Sequence, residues 1–430
     1  MRPPSFTVLL LTILACVICA PAQSSFVAVR GNQFFIDKRP YYFVGANYWY
    51  GSLLGLEKDK KRGVERLRRE LDLLKSNGVT NLRLMAGAEG SGLLNGITRV
   101  GPPIQPREGK FDESVLKGLD ILLVEMAKRE MKAVIFLSNN WEWSGGFQQY
   151  LLWNKAIDNT FVEKKPTWDE LRDTVAKFYS CSSCIEAYRN QAAAIVGRTN
   201  SITKGRYADD STIMAWEIAN EPRPMRPAAN EAYKAFLRST ALWLKAADRT
   251  HLVTVGHEGW IGTESIKVFE AVHRDANIDY ITIHIWPKNW GWFEAGKMAE
   301  GFETILDRTR EYASANSSIA KKLAKPMVIE EFGLPRDGGA LLPETPTTLR
   351  DRYYADILSY IGHGNVAGAN FWAFAGTGRP QQGHVFWKKG DDRLGDPPME
   401  EQGLNSVFDS DASTWKVISA AAVRARQLSR

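Results

Sequence analysis

The chain has 430 residues, with 55 Lys and Arg against 49 Asp and Glu, and its net charge of +6 is spread among interleaved acidic residues. It lacks the basic patches interleaved with aromatics that mark a nucleic-acid binder. Past residue 22 it has no apolar run long enough to cross a bilayer. The length allows two or three domains, but α/β barrels of this size often form one.

Residues 1–22 have the form of a secretory signal: Arg2 as the basic start, Val8 to Ala20 as the apolar stretch, and Ala20-Pro21-Ala22 as a small-residue cleavage site. The apolar residues after Cys16 favour this plain signal over a lipoprotein signal through Ile13-Leu14-Ala15-Cys16. Residues 23–430 are then one secreted domain, extracellular or in the cell envelope, with no retained membrane span. That domain keeps two cysteines, in Cys181-Ser182-Ser183-Cys184, between helical-looking flanks. In an exported protein this spacing predicts a local disulfide at a helix junction. A redox CxxC wants a thioredoxin-like context, and a zinc site wants more ligands. Asn316-Ser317-Ser318 is a glycosylation sequon, relevant only in a eukaryotic secretory route.

In chain order, Phe26 to Ile36 reads as a hairpin turning at Gly31-Asn32, expected to cap the bottom of the fold. Strands are predicted at Tyr42–Gly45, Asn81–Met85, Ala133–Leu137, Ile213–Ile218, Leu252–Val255, Tyr280–Ile283, Met327–Glu330 and Val366–Phe371. Helical periodicity lies between them at Val64–Ser76, Asp112–Glu130, Trp168–Tyr179, Ala228–Ala247, Ser265–His273, Phe293–Ala315 and Thr348–Ile361, with a last helix at Ala412–Gln427. Eight such units imply a parallel (β/α)8 barrel. An open doubly wound sheet would want a Gly-rich phosphate loop after the first strand, and Gly45 to Tyr50 is not one. The long segments Ser138–Thr167 and Ala375–Gln402 both follow strands, so both are expected on the catalytic face.

Barrel enzymes place their chemistry where strands end. Here those ends carry Asn47, Arg83, Asn139 to Trp141, Asn220 with Glu221, His257 with Glu258, His284 with Trp286, Glu331 and Trp372. Two carboxylates on distant strands suit glycoside hydrolysis, one to protonate the leaving oxygen and one to attack or to activate water. Many of the 14 tryptophans fall near strand ends, and indole faces suit the C–H faces of sugar rings.

Trp216-Glu217-Ile218-Ala219-Asn220-Glu221-Pro222-Arg223 and Val328-Ile329-Glu330-Glu331-Phe332-Gly333 resemble glycoside hydrolase family 5. Leu137 to Trp141 followed by Gly145-Gly146, and His284 to Trp290, resemble its endo-β-1,4-mannanase branch. The resemblance implies Glu221 as acid/base and Glu331 as nucleophile, the latter chosen over Glu330 by the family's Glu-aromatic-Gly pattern. It implies Asn220 on the sugar 2-hydroxyl, Arg83 and His284 around the nucleophile, Trp372 under the reacting sugar and Arg223 on the leaving-group side. Asn139, Trp141 and Trp286 are expected to complete the substrate contacts. One position departs: the family often has Tyr two residues after the His, and here it is Trp286, whose indole N–H donates but cannot accept. Glu217, within its strand, is expected to be a barrel-interior polar partner.

The implied activity is retaining endo-hydrolysis of β-1,4-mannan, with no metal and no organic cofactor. A β-1,4-glucanase of the same family and a non-catalytic glycan-binding barrel remain as alternatives.

Overall fold

The computed structural model describes residues 25–56, 60–294 and 296–430; the signal reading of residues 1–22 lies outside them. Eight parallel strands form the centre: β1 Phe43–Asn47, β2 Asn81–Met85, β3 Lys132–Phe136, β4 Ile213–Glu217, β5 Leu252–Thr254, β6 Ile281–Ile285, β7 Met327–Phe332 and β8 Val366–Phe371. Each pairs with its neighbour in sequence, and β8 pairs with β1. The circle closes between β5 and β6 through the Asp279 amide donating to the Val253 carbonyl at 2.8 Å and the His284 amide donating to the Glu258 carbonyl at 2.9 Å. The chain is therefore a (β/α)8 barrel, as its alternating pattern predicts.

The main outer helices are α1 Lys60–Ser76, α2 Glu113–Ala127, α3 Ser182–Val196, α4 Asn230–Ala247, α5 Ile266–His273, α6 Phe302–Lys322, α7 Thr348–Ser359 and α8 Ala412–Leu428. Helix α2 shows the local logic. Asp112 caps it by accepting from the Ser114 amide at 2.9 Å, and Leu116, Leu119, Leu123 and Met126 bury one face. The helix expected from Phe293 begins instead at Phe302, because Gly296 takes φ +79° and Gly301 ends the turn before it.

The N-terminal hairpin pairs Val27–Arg30 with Gln33–Ile36, and a short third strand, Arg39–Pro40, extends it. Its Val27 and Phe34 pack with Phe43, Val134, Met214, Leu252, Tyr280 and Val328, which closes the bottom of the barrel. Cys181 and Cys184 are bridged, with Cys181 at the N-cap of α3. Asn316 is wholly buried, its amide donating to the Tyr312 carbonyl at 2.8 Å, so the sequon offers no acceptor in the folded chain.

The segment after β8 is tightly organised. Phe374–Gly376 pairs with Val407–Phe408, and buried Asp396 accepts from the amides of Gly403 and Asn405 and from the Ser406 hydroxyl at 2.9, 3.0 and 2.6 Å. A buried ion pair anchors the same region. Arg336 donates to both Asp411 oxygens at 2.6 Å, with its guanidinium 5.2 Å from the Phe408 ring. Arg336→Met would strip Asp411 of its hydrogen-bonded cation and leave Arg350 Nη1 at 4.0 Å, so equilibrium urea unfolding should show a loss of about 3 kcal/mol. A loss under about 1 kcal/mol would mean that the pair is dispensable.

Candidate active site

Arg83, at the centre of β2 and wholly buried, organises the top of the barrel. Its Nε and Nη2 donate to the two oxygens of Glu217 at 2.9 and 2.6 Å, and Nη2 also donates to Asn220 Oδ1 at 2.7 Å. Nη1 donates to Asn47 Oδ1 at 3.1 Å and to Glu331. A desolvated guanidinium needs this fork of acceptors. Glu217 is thus the interior partner expected of it. Gly256, at φ +87°, lets the β5 loop pass it: a Cβ there would stand 2.2 Å from a Glu217 oxygen.

At the end of β7 the strand does not alternate. Ile329 pairs with Ile283, but His284 pairs with Glu331, leaving Glu330 as the extra residue of a bulge. Glu330 therefore does not turn into the barrel wall, as simple alternation predicts. It lies inside, 3.6 Å from both Arg83 Nε and His284 Nε2 and beneath Glu331. Glu331 stands above it, with Trp286 Nε1 donating to its Oε2 at 3.1 Å. Trp286 thus supplies a hydrogen bond to this carboxylate. Gly333 permits the approach, because a Cβ there would meet the Trp286 ring at 2.9 Å.

Glu221, past the end of β4, holds φ at +50°, a conformation uncommon outside glycine. Its Oε1 shares a 2.7 Å hydrogen bond with His284 Nδ1, and its Oε2 accepts from Trp141 Nε1. Oxygens of Glu221 and Glu331 and a ring nitrogen of His284 all lie within 4.8 Å of one another. Burial raises the pKa of both carboxyls, and the nearness of Glu221 raises Glu331 further. The Arg83 guanidinium and the Trp286 N–H favour the ionised form of Glu331, as Arg223 and the Trp141 N–H do that of Glu221. Burial, helped by the charge of Arg83, holds His284 well below the ordinary imidazole range, hence neutral. The same three side chains could be drawn as a cation site. Arg83 in direct contact with Glu331 opposes a second positive charge there, and the donor atoms are engaged within the protein.

A cavity of about 400 Å³ lies over this pair, lined by Asn220, Glu221, Arg223, Trp286, Glu331 and Trp372 among others. Trp141 lines it too, stacked on Trp168 with ring centroids 6.2 Å apart. The Arg223 guanidinium lies 5.0 Å from the Trp141 ring, locked to Glu258 by two hydrogen bonds. Trp372 meets Trp286 edge to face, and its buried indole N–H has no protein acceptor. Arg83, Asn139 and His284 are the exceptions among the expected contacts, all wholly buried and none lining the cavity. Asn139 lies behind Asn220, accepting its amide at 3.0 Å and the Trp141 backbone amide at 3.1 Å, so it positions the site rather than lining it.

Sequence reasoning did not select Glu258, Trp168, Asn289, Met399 or Glu400 as site residues, and all five line the cavity. Glu258 and Trp168 were visible, the first at a strand end and the second beginning a predicted helix. Glu400 gave no local signal. Its carboxyl, pushed up to about 8 by burial and by the nearby carboxyls of Asp396 and Glu221, has one oxygen with no protein partner. The segment that carries it bridges to other loops. Trp49 Nε1 donates to the Gly395 carbonyl at 2.7 Å, and Arg393 donates to the Gly101 carbonyl at 2.8 Å. The β1, β2 and β8 loops are thereby tied to one another.

Paired buried carboxylates above a (β/α)8 barrel, flanked by indole faces and a fixed guanidinium, define a glycoside hydrolase. The family model described as "GH family 5 beta-mannosidase-like" matches residues 24–430, and the chain belongs to that family. It is 27% identical to mannan endo-1,4-beta-mannosidase 1 of Oryza sativa subsp. japonica, over 98% of this chain and 93% of that one. Among solved structures, a glycoside hydrolase family 5 mannosidase from Rhizomucor miehei is 32% identical, with a TM-score of 0.83 over 95% of this chain and 99% of that one. The endo-1,4-beta-mannanase of the same organism shares the fold at a TM-score of 0.65 and 23% identity.

Proposed function

We propose that this enzyme hydrolyses β-1,4-mannosidic linkages with retention of configuration and trims the polymer from a chain end. Glu331, held ionised by Arg83 and Trp286, attacks the anomeric carbon. Glu221, holding the proton, delivers it to the departing oxygen. The close approach of their oxygens, within 4.8 Å, falls on the short side that marks retaining pairs. Once the glycosyl-enzyme forms, the charge on Glu331 is gone. Glu221 then ionises readily and takes a proton from the attacking water. Trp372 offers its face to the reacting sugar. Asn220, fixed by Arg83 and Asn139, presents its amide at the height of the 2-hydroxyl.

The β8 segment, tied to the β1 and β2 loops, supports the chain-end reading. A groove closed on one side admits a terminal sugar but not a continuing polymer. Internal cleavage is the second reading, supported by the endo-acting names of the plant relatives and by indole faces on several loops. Products on mannohexaose and on mannan decide between them. Chain-end action releases mannose from the outset, and viscosity falls only in step with total hydrolysis. Early mannobiose and mannotriose with a rapid viscosity drop would establish internal cleavage. A higher rate on carboxymethyl-cellulose than on mannan would overturn both. The leader-like N-terminus and the Cys181–Cys184 bridge support export of the mature enzyme.

A further inference from the structure

A second cavity, of about 610 Å³, lies beside the catalytic one, between the β6, β7 and β8 loops. Its volume falls within the roughly 300–1,000 Å³ typical of small-ligand sites. Phe293 and Met298 form one side of it, and Leu349 and Leu404 the other. Lys288 and Glu401, paired at 2.8 Å, stand at its rim. The two cavities communicate. A hollow of about 270 Å³ between them shares Trp286, Asn289, Met399 and Glu400 with the catalytic cleft, and Lys288, Glu401 and Leu404 with the side cavity. One groove therefore leads away from the catalytic pair across the Lys288–Glu401 saddle.

The chemistry of this cavity selects its ligand. Phe293 is half-buried and presents an apolar face. The rim charges neutralise each other, and both oxygens of Asp337, the other ionisable group on the wall, cap α7 by accepting the Thr348 and Leu349 amides at 2.9 and 3.0 Å. A free anion or cation finds no unmatched partner here. A purely apolar ligand would desolvate the rim pair without replacing its hydrogen bonds. A sugar meets both demands, with a C–H face for the ring and hydroxyls for the rim.

On these grounds, and resting on the mannoside reading above, we propose that the side cavity binds a neutral hexosyl unit of the substrate remote from the bond being cleaved. That unit is either a further sugar of the main chain or a branch on it. Ala299 lies exposed on the cavity wall, away from the catalytic groups, so Ala299→Trp fills the cavity, while Phe293→Ala removes the ring.

Both variants should keep kcat/KM on p-nitrophenyl β-mannoside within about twofold of wild type. Both should raise KM by about 3- to 10-fold on longer substrates, the worth of one lost ring contact. A rise on mannohexaose assigns the cavity to the main chain, and a rise only on a galactosylated manno-oligosaccharide assigns it to a branch. Unchanged KM on both, or equal losses on short and long substrates, would overturn the proposal. If the wild-type enzyme cleaves no β-mannoside, the functional reading falls on its own. Calorimetric titration of mannohexaose and of the galactosylated oligosaccharide then still decides for the cavity. Weaker binding of either to Ala299→Trp than to wild type sustains a saccharide site, and equal binding of both, or no binding to wild type, removes it.

Discussion

Glu331→Ala is expected to abolish turnover while leaving the fold intact, because the carboxylate is a ligand of Arg83 and not a packing element. Loss of a nucleophile of this kind costs on the order of 10⁶-fold in kcat. Glu221→Gln should cost less, about 10²- to 10⁴-fold on natural linkages. It should cost least in the first step on a p-nitrophenyl mannoside, whose leaving group needs no proton. Added azide distinguishes the two roles. It should restore the Glu331→Ala variant by giving the α-mannosyl azide and the Glu221→Ala variant by giving the β-azide. The reverse pattern would exchange the assignments. The pH profile follows from the same pair. In the proposed mechanism Glu221 is the acid, and burial raises its pKa above the ordinary carboxylate range. Activity should therefore hold through that range and fall as pH rises through the Glu221 pKa. This alkaline limb should vanish in Glu221→Gln.

Arg83 substitution should have the next largest effect. Among the described residues it is the one cation in contact with Glu331, and it also satisfies Glu217 and Asn220. Arg83→Lys keeps the charge but loses the fork, so it cannot hold all these acceptors at once. A loss of about 10²- to 10³-fold in kcat is expected, in the range for removing one preorganised electrostatic contact. Arg83→Met removes the charge as well. The pKa of Glu331 then rises, and the acidic limb of the profile, where activity appears as Glu331 ionises, should move to higher pH. Glu217 is left buried without its partner, so unfolding free energy should also drop by about 3–5 kcal/mol. An unmoved acidic limb in a folded Arg83→Met enzyme would show that Arg83 only braces the barrel.

The eight strands and most of the helices were legible because barrel strands are buried on both faces and read as short apolar runs between helical periodicities. Strand ends, too, were legible. Asn220 with Glu221 and Glu331 with Phe332 follow their apolar runs directly, and a carboxylate just beyond a buried strand has one place to go. Periodicity failed where it lacked punctuation, as at Phe293, where Gly296 and Gly301 delay the helix. It failed again at β7, because a bulge is a property of two paired strands. No pattern within Met327–Phe332 announces that Glu330 will be skipped by β6 and kept inside the barrel.

The amino-acid sequence by itself determined the barrel, the two carboxylates and the indole-rich rim, all of which follow from local burial and from residues adjacent in the chain. Only the tertiary structure decided what lies opposite them. Asn139 turned out to stand behind Asn220, and Glu258 to clamp Arg223. Glu400, nearly 180 residues from Glu221 in the chain, reaches the cleft because Asp396, Trp49 and Arg393 tie its segment across the barrel mouth. The tie of the β8 segment to the β1 and β2 loops comes from contacts among loops. Those contacts are long-range and irregular, so no period in the sequence encodes them.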